Sequence, residues 1–204
     1  MWTLPNIITL IRICFTPVIA LLPFIEGYWP KLIAFIIFLV AAVSDVYDGH
    51  LARSRNEVTD LGKMLDPIAD KAMVVIALLV ITGFSGMNPW ILLPATLILF
   101  REVFVSGLRE YLGTTAGLLK VTKLAKWKTT AQMVSIAVLF LGTGLEYLER
   151  GRGPMVGGLP ALSDGPAGWA TFVGICLLWI AAVLTVVTGW DYFAKALPHL
   201  RDRK

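Results

Sequence analysis

The feature that most limits how this chain can fold is a succession of apolar runs separated by short polar breaks. A membrane-crossing helix takes about 20 predominantly apolar residues, and runs of about that length cover residues 5–23, 30–52, 61–83, 89–111, 127–147 and 166–193. In lipid every backbone N–H and C=O must find its partner inside its own segment, so such runs fold as helices. Composition agrees: of 204 residues, 57% are hydrophobic and 16% charged, with a mean hydropathy of +0.75, outside the range of soluble globular chains. The reading is an all-α integral membrane protein with six transmembrane helices forming one membrane domain over residues 1–204. Residues 1–4 are expected to lie at the interface, with Pro5 opening the first helix. The first run lacks a basic n-region and contains Arg12, which speaks against a cleaved signal peptide.

The polar residues within and between the runs carry the next inferences. Arg12 inside a span is costly and must face protein, water or a lipid phosphate, unless it snorkels to the headgroups. Cys14 and Cys176 sit alone in separate apolar runs, which is neither a disulfide framework nor a zinc site, so both are predicted to pack as small buried side chains. Loops on one side carry Arg53, Arg55, Lys63, Arg109, Lys120, Lys123, Lys126, Lys128 and the cationic tail, against Lys31, Arg150 and Arg152 on the other. The positive-inside rule then puts the first side, and both termini, in the cytoplasm. The expected setting is multi-pass in the cytoplasmic (inner) membrane, with membrane lipids and no nucleic acid as partners. Trp2, Trp90, Trp127, Trp169 and Trp190 fall near span ends, as an interfacial belt would have them. Asp191 is expected to pair with Lys195, and the glycine- and proline-rich residues 148–165 show no apolar periodicity.

The densest chemistry lies between Asp45 and Lys71, where two apolar runs meet. Asp45 and Asp48 are three apart and Asp66 and Asp70 four apart, so on helices each pair shares a face. Four facing carboxylates repel unless a cation holds them. Oxygen ligands with no histidine or cysteine suit hard ions such as Mg²⁺ or Mn²⁺, and a pair of such ions can clamp both oxygens of a phosphoryl transfer. Gly49 would let a phosphate or ribose approach the backbone, and Arg53 offers a planar fork for phosphate oxygens. The plainer alternative, solvated interfacial acids paired with Arg53, Arg55, Lys63 and Lys71, accounts poorly for four aspartates at helical spacing around one turn.

The pattern Asp45-x2-Asp48-Gly49-x2-Ala52-Arg53-x8-Gly62-x3-Asp66-x3-Asp70 resembles, position for position, the signature of the CDP-alcohol phosphatidyltransferases. The resemblance implies a six-helix membrane fold, usually a homodimer, that cleaves a CDP-linked lipid and passes its phosphatidyl group to an alcohol. It assigns Asp45, Asp48, Asp66 and Asp70 to a two-metal site for Mg²⁺ or Mn²⁺, makes Asp70 the base for the acceptor hydroxyl, and puts Gly49, Ala52, Arg53 and Gly62 against the CDP portion.

Outside the signature, Arg101-Glu102, Arg109-Glu110 and Lys123-x2-Lys126-x-Lys128-Thr129-x2-Gln132, with the opening from Leu4 to Arg12, are similar to the phosphatidylglycerophosphate synthases of that family. The implied substrates are CDP-diacylglycerol and sn-glycerol 3-phosphate and the implied by-product is CMP, with Asn6, Thr9 and Thr59 near the CDP group. Arg101, Arg109, Lys123 and Lys126 are expected to hold the acceptor's phosphate, since an anionic acceptor needs a clamp that choline would not. Within the family, cardiolipin synthesis from phosphatidylglycerol and an inositol-phosphate acceptor are alternatives. A cation-coupled transporter would place its acids nearer mid-bilayer and often shows an internal repeat, of which none is visible. A membrane prenyltransferase would separate its acidic motifs more widely.

Overall fold

A computed structural model describes residues 3–54, 59–113, 123–150 and 165–201; for residues 46, 48–54, 123–126, 150 and 199–201 it describes the backbone path alone. Six helices stand where the six apolar runs were read: α1 (Leu4–Leu21), α2 (Tyr28–Ser54), α3 (Asp60–Phe84), α4 (Pro89–Leu112), α5 (Lys123–Arg150) and α6 (Pro166–Arg201). A 3₁₀ turn, Leu22–Phe24, continues α1. Pro5 occupies the first turn of α1, where its missing N–H would have had no partner anyway. Between α3 and α4 the chain reverses through Gly86 (φ 64°) and Met87 (φ 59°), and the Asn88 side chain caps α4 by accepting from Trp90 N at 2.9 Å. Glu149 Oε1 accepts from Ala167 N at 3.0 Å, which puts a carboxylate at the positive N-terminal end of α6.

By length and composition, five helices are able to cross a membrane: α1 with its 3₁₀ turn, the first part of α2, α4, α5 and α6. In α3, Asp60, Lys63, Asp66, Asp70 and Lys71 fill the first turns, and residues 72–84 form its apolar part. That helix is well enclosed, with Ala69, Met73, Val74, Ala77, Leu78, Val80 and Ile81 all buried. Two helices outrun the predicted spans, α5 starting at Lys123 and α6 ending at Arg201. Lysine, arginine, alanine and leucine favour helix in water as in lipid, so the basic ends continue the spans instead of breaking them.

The helices form a ring. α1 packs on α2 and α3, α2 on α5, α5 on α6 and α6 on α4, and lighter contacts of α3 with α4 and α5 close the circuit. Phe38 and Phe140 meet between α2 and α5 with ring centroids 5.7 Å apart. The most extensive pairing, α5 with α6, depends on small residues: a Cβ on Gly174 would lie 2.7 Å from Leu139 Cγ, and one on Gly142 2.8 Å from Thr171 Oγ1. Close approach at small residues is a common means of helix association in lipid.

One expectation fails. Cys14 and Cys176 are free and exposed on the outer surface, not buried. In a bilayer the outward face of a helix is as apolar as its inward face, so apolar surroundings in sequence did not distinguish them. Trp90, Trp127, Trp169 and Trp190 are also exposed, the first three near helix ends and Trp190 near the end of the sixth predicted span, as a headgroup belt requires; Trp2 lies outside the described residues.

Candidate active site

At one end of the ring, α1 lies along the junction of α2 and α3 through polar contacts. Asn6 Nδ2 donates to Thr59 Oγ1 at 2.8 Å, Thr9 Oγ1 donates to Asp66 Oδ1 at 3.0 Å, and the Arg12 guanidinium pairs with Asp45. These residues sit one turn apart along α1, so a single helix face meets the carboxylates. Thr59 is also the N-cap of α3, its Oγ1 accepting from Gly62 N at 3.0 Å, which satisfies one of the helix's orphan donors. Gly62 has to be small: a Cβ there would stand 2.7 Å from Asn6 Oδ1. The Arg12 side chain is 1% exposed. It neither snorkels nor faces lipid, and Asp45 supplies the protein partner that its cost in a span demands.

A second polar group lies across the ring, where α3 faces α4 and α5. Lys128 on α5 pairs with Glu102 on α4, and Arg101 Nη1 reaches the same Glu102 oxygen at 3.3 Å. Lys71 on α3 donates to Ser106 Oγ, which in turn donates to the Glu102 carbonyl. Arg101 is seated by α6, where a Cβ on Gly189 would come within 2.9 Å of Arg101 Cγ. Nearer the end of α4, the Arg109 guanidinium lies 5.1 Å from the centroid of the Tyr192 ring.

Asp70 stands between the two groups. Asp45 and Glu102 act on it as neighbouring negative charges, and Arg12 and Lys128 as neighbouring positive ones. Its Oδ1 is buried without a hydrogen-bond partner. A carboxylate oxygen in that state is costly and is poised to receive a proton or a cation. Asp60 is a different kind of acid. It lies outside the apolar part of α3, fully exposed, and its hydrogen bond from Lys63 at 2.9 Å holds its carboxyl below the usual range.

A family model, CDP-alcohol phosphatidyltransferase, matches residues 2–187. The chain belongs to that family. Relatives align over nearly the full length. A protein of Cereibacter sphaeroides is 55% identical, covering 100% of this chain and 99% of its own. One of Rickettsia typhi is 37% identical over 95% and 96%, and one of Shigella flexneri 33% over 99% of each. All three carry the name CDP-diacylglycerol–glycerol-3-phosphate 3-phosphatidyltransferase. With its apolar helices, this member of the phosphatidyltransferase family is a multi-pass membrane protein.

For a family member, the positions of the signature residues matter individually. Asp45, Asp66, Asp70, Gly62, Asn6, Thr9 and Thr59 come together along α1, α2 and α3. The side chains of Asp48, Gly49, Ala52 and Arg53, and of Lys123 and Lys126, lie outside the described residues. Among the described residues no three acids, histidines or cysteines come close enough to hold a metal ion. The donor set nonetheless suits a hard cation, being all carboxylate, and the unpartnered Asp70 Oδ1 is a buried oxygen that such a cation would satisfy.

Arg101 lies beside Glu102 as a cation at that depth should, while Arg109 lies nearer the end of α4. Lys71, Glu102 and Lys128, which share the cluster with Arg101, were not among the residues expected to hold the acceptor. Their signal was present: a charge within an apolar helix must have a partner, and three elements each supply one at matching depth.

Proposed function

We propose that this phosphatidyltransferase moves the phosphatidyl group of CDP-diacylglycerol onto sn-glycerol 3-phosphate, giving phosphatidylglycerophosphate and CMP. The full-length relatives that bear this name support the reaction. The observation that carries the acceptor is the convergence of Arg101, Lys128 and Lys71 on the one carboxylate of Glu102, beside Asp70. Three cations against the carboxylates of Glu102 and Asp70 leave an excess of one positive charge. A phosphate monoester would compensate it through charge-assisted hydrogen bonds; a neutral or cationic alcohol would not. Arg109, Lys123 and Lys126, at the ends of α4 and α5, would draw the anion toward that space.

With its phosphate held there, the acceptor's primary hydroxyl lies toward Asp70. The hydroxyl oxygen bonds to the phosphatidyl phosphorus, the bond from that phosphorus to CMP breaks with its electron pair leaving on CMP, and the acceptor proton passes to Asp70. An aspartate is a weak base at neutral pH, so alignment of nucleophile and phosphorus contributes more here than basicity. Mg²⁺ or Mn²⁺ held by Asp45, Asp48, Asp66 and Asp70 would neutralise the diphosphate and stabilise departing CMP. Asn6, Thr9 and Thr59 fix the depth of α1 against those acids, while Gly49, Ala52, Arg53 and Gly62 leave room for and contact the CDP group.

The distribution of cations supports the cytoplasmic membrane, with the site and both termini on the cytoplasmic side. A homodimer follows from the family resemblance. The deciding experiment is an acceptor screen in detergent micelles with CDP-diacylglycerol and either metal, reading CMP release. Release with sn-glycerol 3-phosphate, and not with phosphatidylglycerol or inositol phosphate, is the expected outcome. Release with phosphatidylglycerol alone would move the protein to cardiolipin synthesis.

A further inference from the structure

We infer that Gln132 on α5 and Thr185 on α6 hold the acceptor's second, non-reacting hydroxyl and so select a glycerol phosphate over a phosphate ester lacking it. The inference rests on the acceptor reading above and adds the residues that would discriminate among acceptors. Gln132 is 3% exposed and Thr185 is fully buried, yet Gln132 Oε1 and Thr185 Oγ1 have no hydrogen-bond partner. Leaving buried polar atoms unpaired is costly, and native interiors hold few of them. Two on facing helices beside a charged cluster mark a place where something polar binds.

The helix geometry brings them to the acceptor space. Gln132 is one turn from Lys128 on the same face of α5, and Thr185 is one turn from Gly189, on which Arg101 rests. The antiparallel register of α5 on α6 runs through Gly142 with Thr171 and Leu139 with Gly174. Carried on, it sets Lys128 level with Thr185 and Gln132 one turn deeper. Helical side chains lean toward their own N-terminus, so Gln132 leans back toward the level of Lys128 and Thr185 leans toward Gln132. A glycerol phosphate with its phosphate on Arg101 and Lys128 and its primary hydroxyl toward Asp70 has one group left, the secondary hydroxyl. That group can donate to Gln132 Oε1 or exchange hydrogen bonds with the Thr185 hydroxyl.

The test compares sn-glycerol 3-phosphate with 3-hydroxypropyl phosphate, which keeps the phosphate and the primary hydroxyl and lacks the secondary one. Wild-type protein should favour the glycerol phosphate in kcat/KM by on the order of tenfold, the worth of one or two buried hydrogen bonds. In Gln132→Leu, and independently in Thr185→Val, that preference should collapse toward unity, because the natural acceptor loses more than the analogue. A preference retained in both variants overturns the inference. An equal fall for both acceptors also overturns it, since that is what a packing role alone produces. Wild-type protein that used neither acceptor while turning over another alcohol would overturn the acceptor reading itself.

Discussion

Asp70 and Arg12 show how much a single buried side chain is asked to do in this protein. Asp70 Oδ1 lies buried without a partner between two clusters, and in the proposed reaction that oxygen takes the acceptor's proton. Replacing Asp70 with Asn keeps the shape and removes the basic oxygen. Turnover should fall by about 10²–10⁴, the usual contribution of a positioned base, while binding of CDP-diacylglycerol is largely kept. Equal CMP release from variant and wild type would sink the assigned role. Arg12 is structural by comparison. Its partner Asp45 is a third exposed, so removing the guanidinium should cost about 2–3 kcal/mol, less than the ~3–5 kcal/mol for breaking a fully buried pair. A thermal melt in detergent should show the loss in Arg12→Ala and partial recovery when Asp45→Asn is added; no recovery would mean that Arg12 acts through packing alone.

At the scale of helices, the contact of α1 with α3 is set by one missing methyl. A Cβ on Gly62 would stand 2.7 Å from Asn6 Oδ1 and 3.3 Å from Thr59 Oγ1, so Gly62→Ala must push α1 away or break the Asn6–Thr59 bond. The expected cost is about 1–3 kcal/mol, with turnover impaired because Thr9 and Arg12 shift with α1. Gly83, on the same helix with nothing within 4 Å of its would-be Cβ, is the control. Gly83→Ala should leave the melting temperature unchanged or raise it, since alanine orders a helix at about 1 kcal/mol less than glycine; equal destabilisation at both positions would remove the steric explanation. The helices themselves were legible in the sequence, because lipid leaves a long apolar run no other fold. Aspartate spacing likewise gave the shared faces. Ring order was not legible, since the apolar stretches of the spans are much alike on their inner and outer faces, and that same uniformity hid the outward orientation of Cys14 and Cys176. Nor did the sequence give Arg12 its partner. An ion pair between α1 and α2 depends on helix rotation, which no local pattern encodes.

For the whole molecule, the ring divides the reaction between two banks of helices. One bank, α1 to α3, carries the acids of the signature, and from the other, α4 to α6, Arg101 and Lys128 face them, joined by Lys71 of α3. Charges on the second bank should therefore govern the acceptor alone. Arg101→Ala or Lys128→Ala is expected to raise KM for sn-glycerol 3-phosphate by roughly ten- to a hundredfold, as loss of a charge-assisted hydrogen bond does, with little change in KM for CDP-diacylglycerol. A comparable rise for both substrates would place the donor on this bank as well. Under the proposed reaction, the same separation implies which end of the molecule meets the cytoplasm. Acids and cations both lie toward the end that holds the start of α1 and the finish of α6. Lys31 and the turn at Met87 lie at the other. In the proposed reaction the nucleotide by-product and the phosphorylated acceptor are cytoplasmic solutes, which agrees with the orientation that the positive-inside rule favours. With Cys14 and Cys176 replaced by Ala, a membrane-impermeant maleimide on intact cells should label Met87→Cys, and should reach Lys204→Cys only after the membrane is opened. Labelling in the reverse order would invert the protein and leave its phosphate site on the side without substrate.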